Sequence, residues 1–230
     1  MCFIIAAGGV ACDDGRPKVM DAKDRQNLVE GIVRINLAGH RYDIPLRYHY
    51  TAWLKYKQWP TPKKDVVKVN GYNIDVLLPD LRPYSDADRH KFEERGWGDK
   101  VTIYIAERNP RKPMSEYLEF LRAHKLTENP AFVRLEKKPD TIEAPGLLHY
   151  FDNASKKDLF IISEDDTKPY LVMRCDSLGG VPPYPSCHVV TDFSTNLELS
   201  YSYGRQHLPQ WRQIDARIRE LFERFAQDAK

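Results

Sequence analysis

Cys175 and Cys187 are the residues whose type and placement point most directly to chemistry. They bracket a short loop rich in Gly and Pro (DSLGGVPPYPS) between two β-type runs, YLVMRC and CHVVTDF, so the two sulfurs are expected close together. In an oxidising compartment such a pair closes as a disulfide. A loop this short contributes roughly 2–3 kcal/mol by restricting the unfolded chain. The alternative is two free thiols in a cytosolic sheet. Zinc is disfavoured, because no second Cys or His pair stands at ligand spacing. No cofactor is implied.

The other two cysteines, Cys2 and Cys12, lie in an uncharged N-terminal run, MCFIIAAGGVAC, that stops at Asp13 and Asp14. Its apolar part has the length of a secretory core and is too short to cross a bilayer. Gly9-Val10-Ala11-Cys12 looks like a lipobox, in which the chain is cut before a cysteine that then carries lipid. It lacks a Lys or Arg ahead of the apolar run, and Gly9 stands where Leu is usual. The competing reading is a short buried strand at 3–7 with an ordinary core cysteine. On the first reading Cys12 is the lipidation site and the protein is exported to the periplasm, held at a membrane.

Catalytic signatures are missing from the sequence. It has no G-x-S-x-G elbow, no phosphate-binding glycine loop, no G-x-G-x-x-G and no H-E-x-x-H. The seven histidines fall singly along the chain. His90 and Glu94, four residues apart, read as the solvated face of a helix. No catalytic residue is assigned, and the reading is of a non-enzyme. Charged residues make up 30% of 230 but leave a net charge of only +2, which offers no footprint for nucleic acid.

An aromatic and basic stretch is the candidate contact surface: Trp53, Tyr56 and Trp59 interleave with Lys55, Lys57, Lys63 and Lys64. Large rigid rings beside cations suit a protein surface, a lipid headgroup layer or stacked bases. Equally, Trp53 and Leu54 can turn inward and leave the lysines in water. Tyr184, in the loop between the paired cysteines, is a second candidate.

What positions these residues is read from periodicity. At the C-terminus Trp211, Ile214, Ile218, Leu221, Phe222 and Phe225 recur at helical period, an apolar stripe that must bury against a sheet. The preceding hairpin is the nearest sheet, and Pro209 suits the first turn. Upstream, 32–37 and 41–44 read as a hairpin turning at 38–40. Residues 66–69 and 72–78 read as a second hairpin around Asn70-Gly71. Ser85 caps a helix over 86–95 that ends at Gly96. Further strands are expected at 101–106, 132–135, 147–151, 159–163, 170–175, 187–193 and 197–203, with a helix at 114–124. The predicted class is α+β, mostly antiparallel sheets in two lobes each backed by a helix, with a C-terminal amphipathic helix. The divisions are a signal-like segment 1–12, a tether 13–30, an N-terminal lobe 31–140 and a C-terminal lobe 141–230.

Three phrases carry a resemblance. With the N-terminal run, NLAGHRYDIPLRY followed by LLPDLRP and GWGDKVTIYI, and the closing CHVVTDFSTNLELSYSYGRQHLPQWRQIDARIRELFERF, resemble the lipoprotein immunity proteins paired with type VI secretion effectors. The resemblance implies a periplasmic, membrane-tethered protein that binds a cognate toxin, such as a lipase or another envelope-degrading enzyme, and blocks it. An envelope structural or assembly lipoprotein and a hydrolase are the competing classes. The first predicts housekeeping partners. The second predicts a cleft holding a nucleophile beside a base.

Overall fold

The computed structural model describes residues 22–50, 65–108, 135–139, 141–163, 169–179 and 183–229. The run at 1–12 with Cys12, the segment 53–64 and the helix expected at 114–124 lie outside them.

The chain is α+β, and the described residues form two sheets and a C-terminal helix. Helix α1 spans Ala22–Glu30. Strands β1 (Ile32–Leu37) and β2 (His40–Pro45) form the expected hairpin, and a 3-10 turn, Leu46–His49, follows. Strands β3 (Val67–Val69) and β4 (Gly71–Leu77) come next, then a 3-10 turn, Asp86–Asp88, and helix α2 (Arg89–Glu93). The remaining strands are β5 (Lys100–Glu107), β6 (Leu135–Lys137), β7 (Leu148–Asp152), β8 (Lys157–Ser163), β9 (Pro169–Asp176), β10 (Ser186–Asp192) and β11 (Leu197–Gly204). A 3-10 segment, Arg205–Gln210, leads into helix α3 (Trp211–Gln227). Pro209 lies in that segment, just ahead of the helix.

Among the described residues the small sheet has the order β2-β1-β3, and the large one β4-β5-β11-β10-β9-β8-β7-β6. The large sheet is antiparallel throughout. Strands from before and after residue 140 pair in it, β5 against β11, and both sequence blocks contribute to one continuous core. The inner face follows from period-two alternation: β11 buries Leu197, Leu199, Tyr201 and Tyr203 and leaves the residues between them half-buried. One inner row runs Ile74, Ile103, Tyr201, Val189, Met173 and Phe160 across six strands.

All six residues of the C-terminal stripe are buried. They meet both sheets. Phe222 stands edge-on to Tyr42 of β2 at 6.1 Å and to Phe193, just past β10, at 6.0 Å; Phe225 packs edge-on to Tyr48 at 5.1 Å. The polar flank of α3 is tied to the large sheet. Tyr201 donates to Asp215 at 2.9 Å, and Arg219 bridges Asp215 and Thr191.

Two sequence expectations are corrected. Residues 22–30, read as tether, form α1, whose Leu28 enters a small cluster with Tyr50, Leu77, Tyr84 and Phe92. Asn70-Gly71 is not a hairpin turn. It is the point where the chain leaves one sheet for the other: β3 runs parallel to β1, and β4 pairs with β5. The Tyr104 ring lies over Gly71 in the space a Cβ would fill, and Glu107 N–H donates to Asn70 O at 2.9 Å. Pairing with the apolar β5 overrides local turn chemistry. Ser85 does cap the following turn, accepting from Asp88 N–H at 3.2 Å.

His49 is sealed beside this junction, with its Nε2 3.0 Å from the Tyr72 hydroxyl. Burial lowers its pKa to about 4, only partly opposed by a hydrogen bond with the Asn73 backbone. A depressed value means that the unfolded chain binds the proton first. The stabilisation is therefore whole above pH 6.5 and is lost as pH falls toward 4, amounting to roughly 3 kcal/mol at the lower limit. Urea unfolding from pH 7.5 to 4 should show a steep loss in the wild type and a flatter one in His49→Gln.

Candidate partner-binding surface

Cys175 and Cys187 stand opposite each other in the β9–β10 register, with Cα atoms 4.0 Å apart, and are joined as a disulfide. Both are fully buried on the inner face. One residue outward, Asp176 accepts from Ser186 N–H and Ser186 Oγ, both at 2.9 Å, and from Lys157 Nζ at 2.7 Å. Burial alone would raise the Asp176 carboxyl; these donors more than offset it and hold it below the ordinary value.

Beneath the loop lies Arg205, whose side chain is only 7% exposed. Its guanidinium meets Asp158 Oδ2 at 2.5 Å, the Asp176 carbonyl at 2.5 Å and Glu143 Oε2 at 2.9 Å, and its backbone N–H donates to Pro185 O. Burial pulls the Arg205 pKa down, but the carboxylates of Asp158 and Glu143 outweigh it and the value is raised. Asp158 also receives His149 Nε2 at 2.9 Å. Both roots of the loop are thus tied to Arg205, one through its guanidinium and the other through its backbone N–H, independently of the disulfide. Sequence reasoning missed this: Arg205 follows the last strand, where an arginine ordinarily stays in water.

The loop leans on the turn between α2 and β5. Tyr184 is exposed, and its ring lies against Gly96: a Cβ there would come 2.6 Å from the ring Cγ. Gly96 has φ +87° and Gly98 +47°, conformations that favour glycine. The Gly98 carbonyl is held by Gln206 Nε2 at 2.8 Å and His207 Nε2 at 2.9 Å. Loop, turn and 3-10 segment enclose a groove of about 330 Å³, walled by Trp97, Tyr184, Pro183, Pro185, Glu94 and Arg95 and floored by Gly98 and Gln206. The Glu94 carboxylate folds over Gly98 rather than facing His90.

Of the sequence candidates, Tyr184 is thereby placed at a groove, and the disulfide that anchors it is formed. Trp53, Tyr56, Trp59, Lys63 and Cys12 lie outside the described residues. Two histidine pairs bear on the hydrolase class. His149 with Asp158 belongs to the Arg205 network, and His188 Nδ1 lies 2.9 Å from Ser202 Oγ on the open face of the large sheet, opposite Arg174 in register. Among the described residues neither has the nucleophile, base and orienting carboxylate of a three-part site.

No protein-family model matches the chain, and no curated protein matches it in sequence. Solved structures share its fold. One is an immunity protein of the Stenotrophomonas maltophilia type IV secretion system, with a TM-score of 0.56 over 85% of this chain and 93% of that one, at 19% identity. Another is the Neisseria meningitidis iron-regulated outer membrane lipoprotein FrpD, with a TM-score of 0.54 over 86% of this chain and 94% of that one, at 16% identity. Identities this low establish a common fold.

The Arg205 network yields a stability test. Arg205→Met strands the Asp158 and Glu143 carboxylates and should cost about 3–5 kcal/mol in urea unfolding with the disulfide intact. Adding Asp158→Asn should restore part of the loss, since the stranded charge rather than the lost bond is the larger penalty.

Proposed function

We propose that this chain is an immunity protein, which binds a cognate secreted toxin in the periplasm and blocks it by covering its active cleft. The observation that carries this reading is the fold, shared over most of both chains with a secretion-system immunity protein. The sequence phrases resembling type VI immunity lipoproteins add the finer assignment of a type VI system and an envelope-degrading toxin, for which a lipase fits. The structural relative belongs to a type IV system, so inhibition of a delivered toxin is what the two lines of support share. The formed disulfide suits an exported protein. Among the described residues no helix is long and apolar enough to cross a membrane. The membrane link in this proposal is lipid on Cys12, and the lipobox-like run ending there supports it. The fold shared with an outer membrane lipoprotein favours a second reading, an envelope structural or assembly lipoprotein whose partner is a housekeeping protein.

Inhibition by occlusion needs large rigid side chains at the contact, and in sequence the candidates are Trp53, Tyr56 and Trp59 with Lys63. Co-expression with the toxin encoded by the neighbouring gene should rescue growth and yield a stable 1:1 complex. A central ring among the three, changed to Ala, should weaken the complex by about 2 kcal/mol, whereas a rim contact costs almost nothing. Full binding by three folded Ala variants would exclude the segment, and capture of housekeeping envelope proteins alone would favour the second reading. Separately, Cys12→Ser should abolish labelling by a fatty acid and release the protein from the membrane fraction; unchanged processing would exclude the anchor.

A further inference from the structure

Alternation along the central strands sends every second side chain into the core and the others onto the opposite face of the large sheet. Cys175, Cys187, Tyr203 and Val101 are buried inside, so their neighbours Arg174, His188, Ser202 and Thr102 stand on that outer face. The register places these four in one row across β9, β10, β11 and β5, about 14 Å from end to end at about 4.8 Å per strand. On β8 the row meets Leu159, which is buried with Ile161 and Val172, so the open part of the face begins at Arg174.

The charges around Arg174 do not cancel. Asp176, two residues along β9 on the same face, accepts from Lys157 at 2.7 Å and from Ser186 through its other oxygen. Lys157 and Asp176 therefore neutralise each other and leave Arg174 over. At the far end of the row Asp75 accepts from Thr102. Asp192 and Glu198 lie four residues along β10 and β11 from the His188–Ser202 pair, and Asp192 is bound by Arg108. Arg174 itself has no hydrogen-bond or ion-pair partner among the described residues. His188, opposite it, engages Ser202 Oγ through Nδ1 at 2.9 Å and leaves Nε2 open. Desolvation, and after it the charges of Arg174 and Lys157, hold the His188 pKa below its ordinary value. An incoming carboxylate would pair with the Arg174 guanidinium and, once there, screen the repulsion that keeps His188 neutral. The exposed Tyr104 ring, next along β5 on the same face, and the hydroxyls of Ser202 and Thr102 give the surface the composition of a protein contact.

We propose that this row receives an acidic side chain of the toxin, its carboxylate held by Arg174 and His188 Nε2, and that binding takes up a proton at His188. The toxin as partner rests on the immunity reading, whereas the carboxylate rests on the face itself. A bound carboxylate raises the His188 pKa above that of the free protein. Affinity therefore rises as pH falls from about 8 to about 6, and levels off once free His188 is protonated as well.

Two measurements test it. A blocked hexaglutamate peptide is titrated into the full chain, and the histidine ring signals are followed by NMR across pH. The His188 pKa should rise, saturably in the millimolar range, while that of the exposed His40 stays where it is; in Arg174→Gln the rise should be lost. No rise, an equal rise at His40, or an undiminished rise in Arg174→Gln would overturn the proposal whatever the partner. An Arg174-dependent response to phosphatidylglycerol vesicles, with none to the peptide, would overturn it in favour of a membrane. Against the neutralised toxin, Arg174→Gln should raise Kd about tenfold without moving the unfolding midpoint, and His188→Gln should remove the pH dependence of Kd. An unchanged Kd in the first variant, or an unchanged pH dependence in the second, would overturn it too. A chain that neutralises no toxin defeats the immunity reading, while the peptide titration still decides the face.

Discussion

The stripe on α3 is the constraint around which the fold is arranged. Six large apolar side chains, Trp211 to Phe225, leave water together, and their burial is worth on the order of 10 kcal/mol. A helix of this length is marginal by itself in water. It persists because Tyr42 and Tyr48 reach it from the small-sheet side while Phe193, Tyr201 and Thr191 reach it from the large sheet. Neither sheet could keep its inner face dry without it, so helix and sheets form one cooperative unit.

Rigidity at the disulfide end has a different origin. Around Cys175 and Cys187 the core gives way to charge: Lys157, Asp158, Asp176 and Arg205 are bonded into a nearly closed polar cluster. Such a cluster is weak evidence for stability, since desolvation consumes most of the attraction. Its effect is geometric. It fixes both ends of a Pro- and Gly-containing loop, so that Tyr184 projects from a set position over Gly96 and little ordering entropy is lost when a partner arrives.

How much of this was legible depended on whether the signal was local. The α3 stripe, the turn at Ala38-Gly39, the Ser85 cap and the cysteine pair are each written within a few residues, and each appears in the structure. Helix α1 escaped notice because a single large apolar residue, Leu28, anchors it. Asn70-Gly71 misled because its turn chemistry competes with long-range pairing to β5 and β1, which no local window contains. In the candidate site, Tyr184 was legible as an exposed ring in a stapled loop. Glu94 and Trp97 were not, because they come from a turn far away in sequence, and a glycine that lets a carboxylate fold back leaves no trace in composition. Arg205 was hidden for the same reason: its acids come from three separate stretches, at Glu143, Asp158 and Asp176.

The strand order bears on how the protein reaches its fold. The last strand made, β11, lies inside the large sheet, with Leu197 opposite Glu107 and Tyr203 opposite Val101. Until β11 emerges from a ribosome or a translocation pore, the β4–β5 hairpin has a bare edge and an apolar face without its covering helix. Contacts this distant in sequence close slowly, and open edges invite mispairing in the meantime. The two sheets become one molecule only when β11 and α3 have been made, so these two elements set the time of assembly.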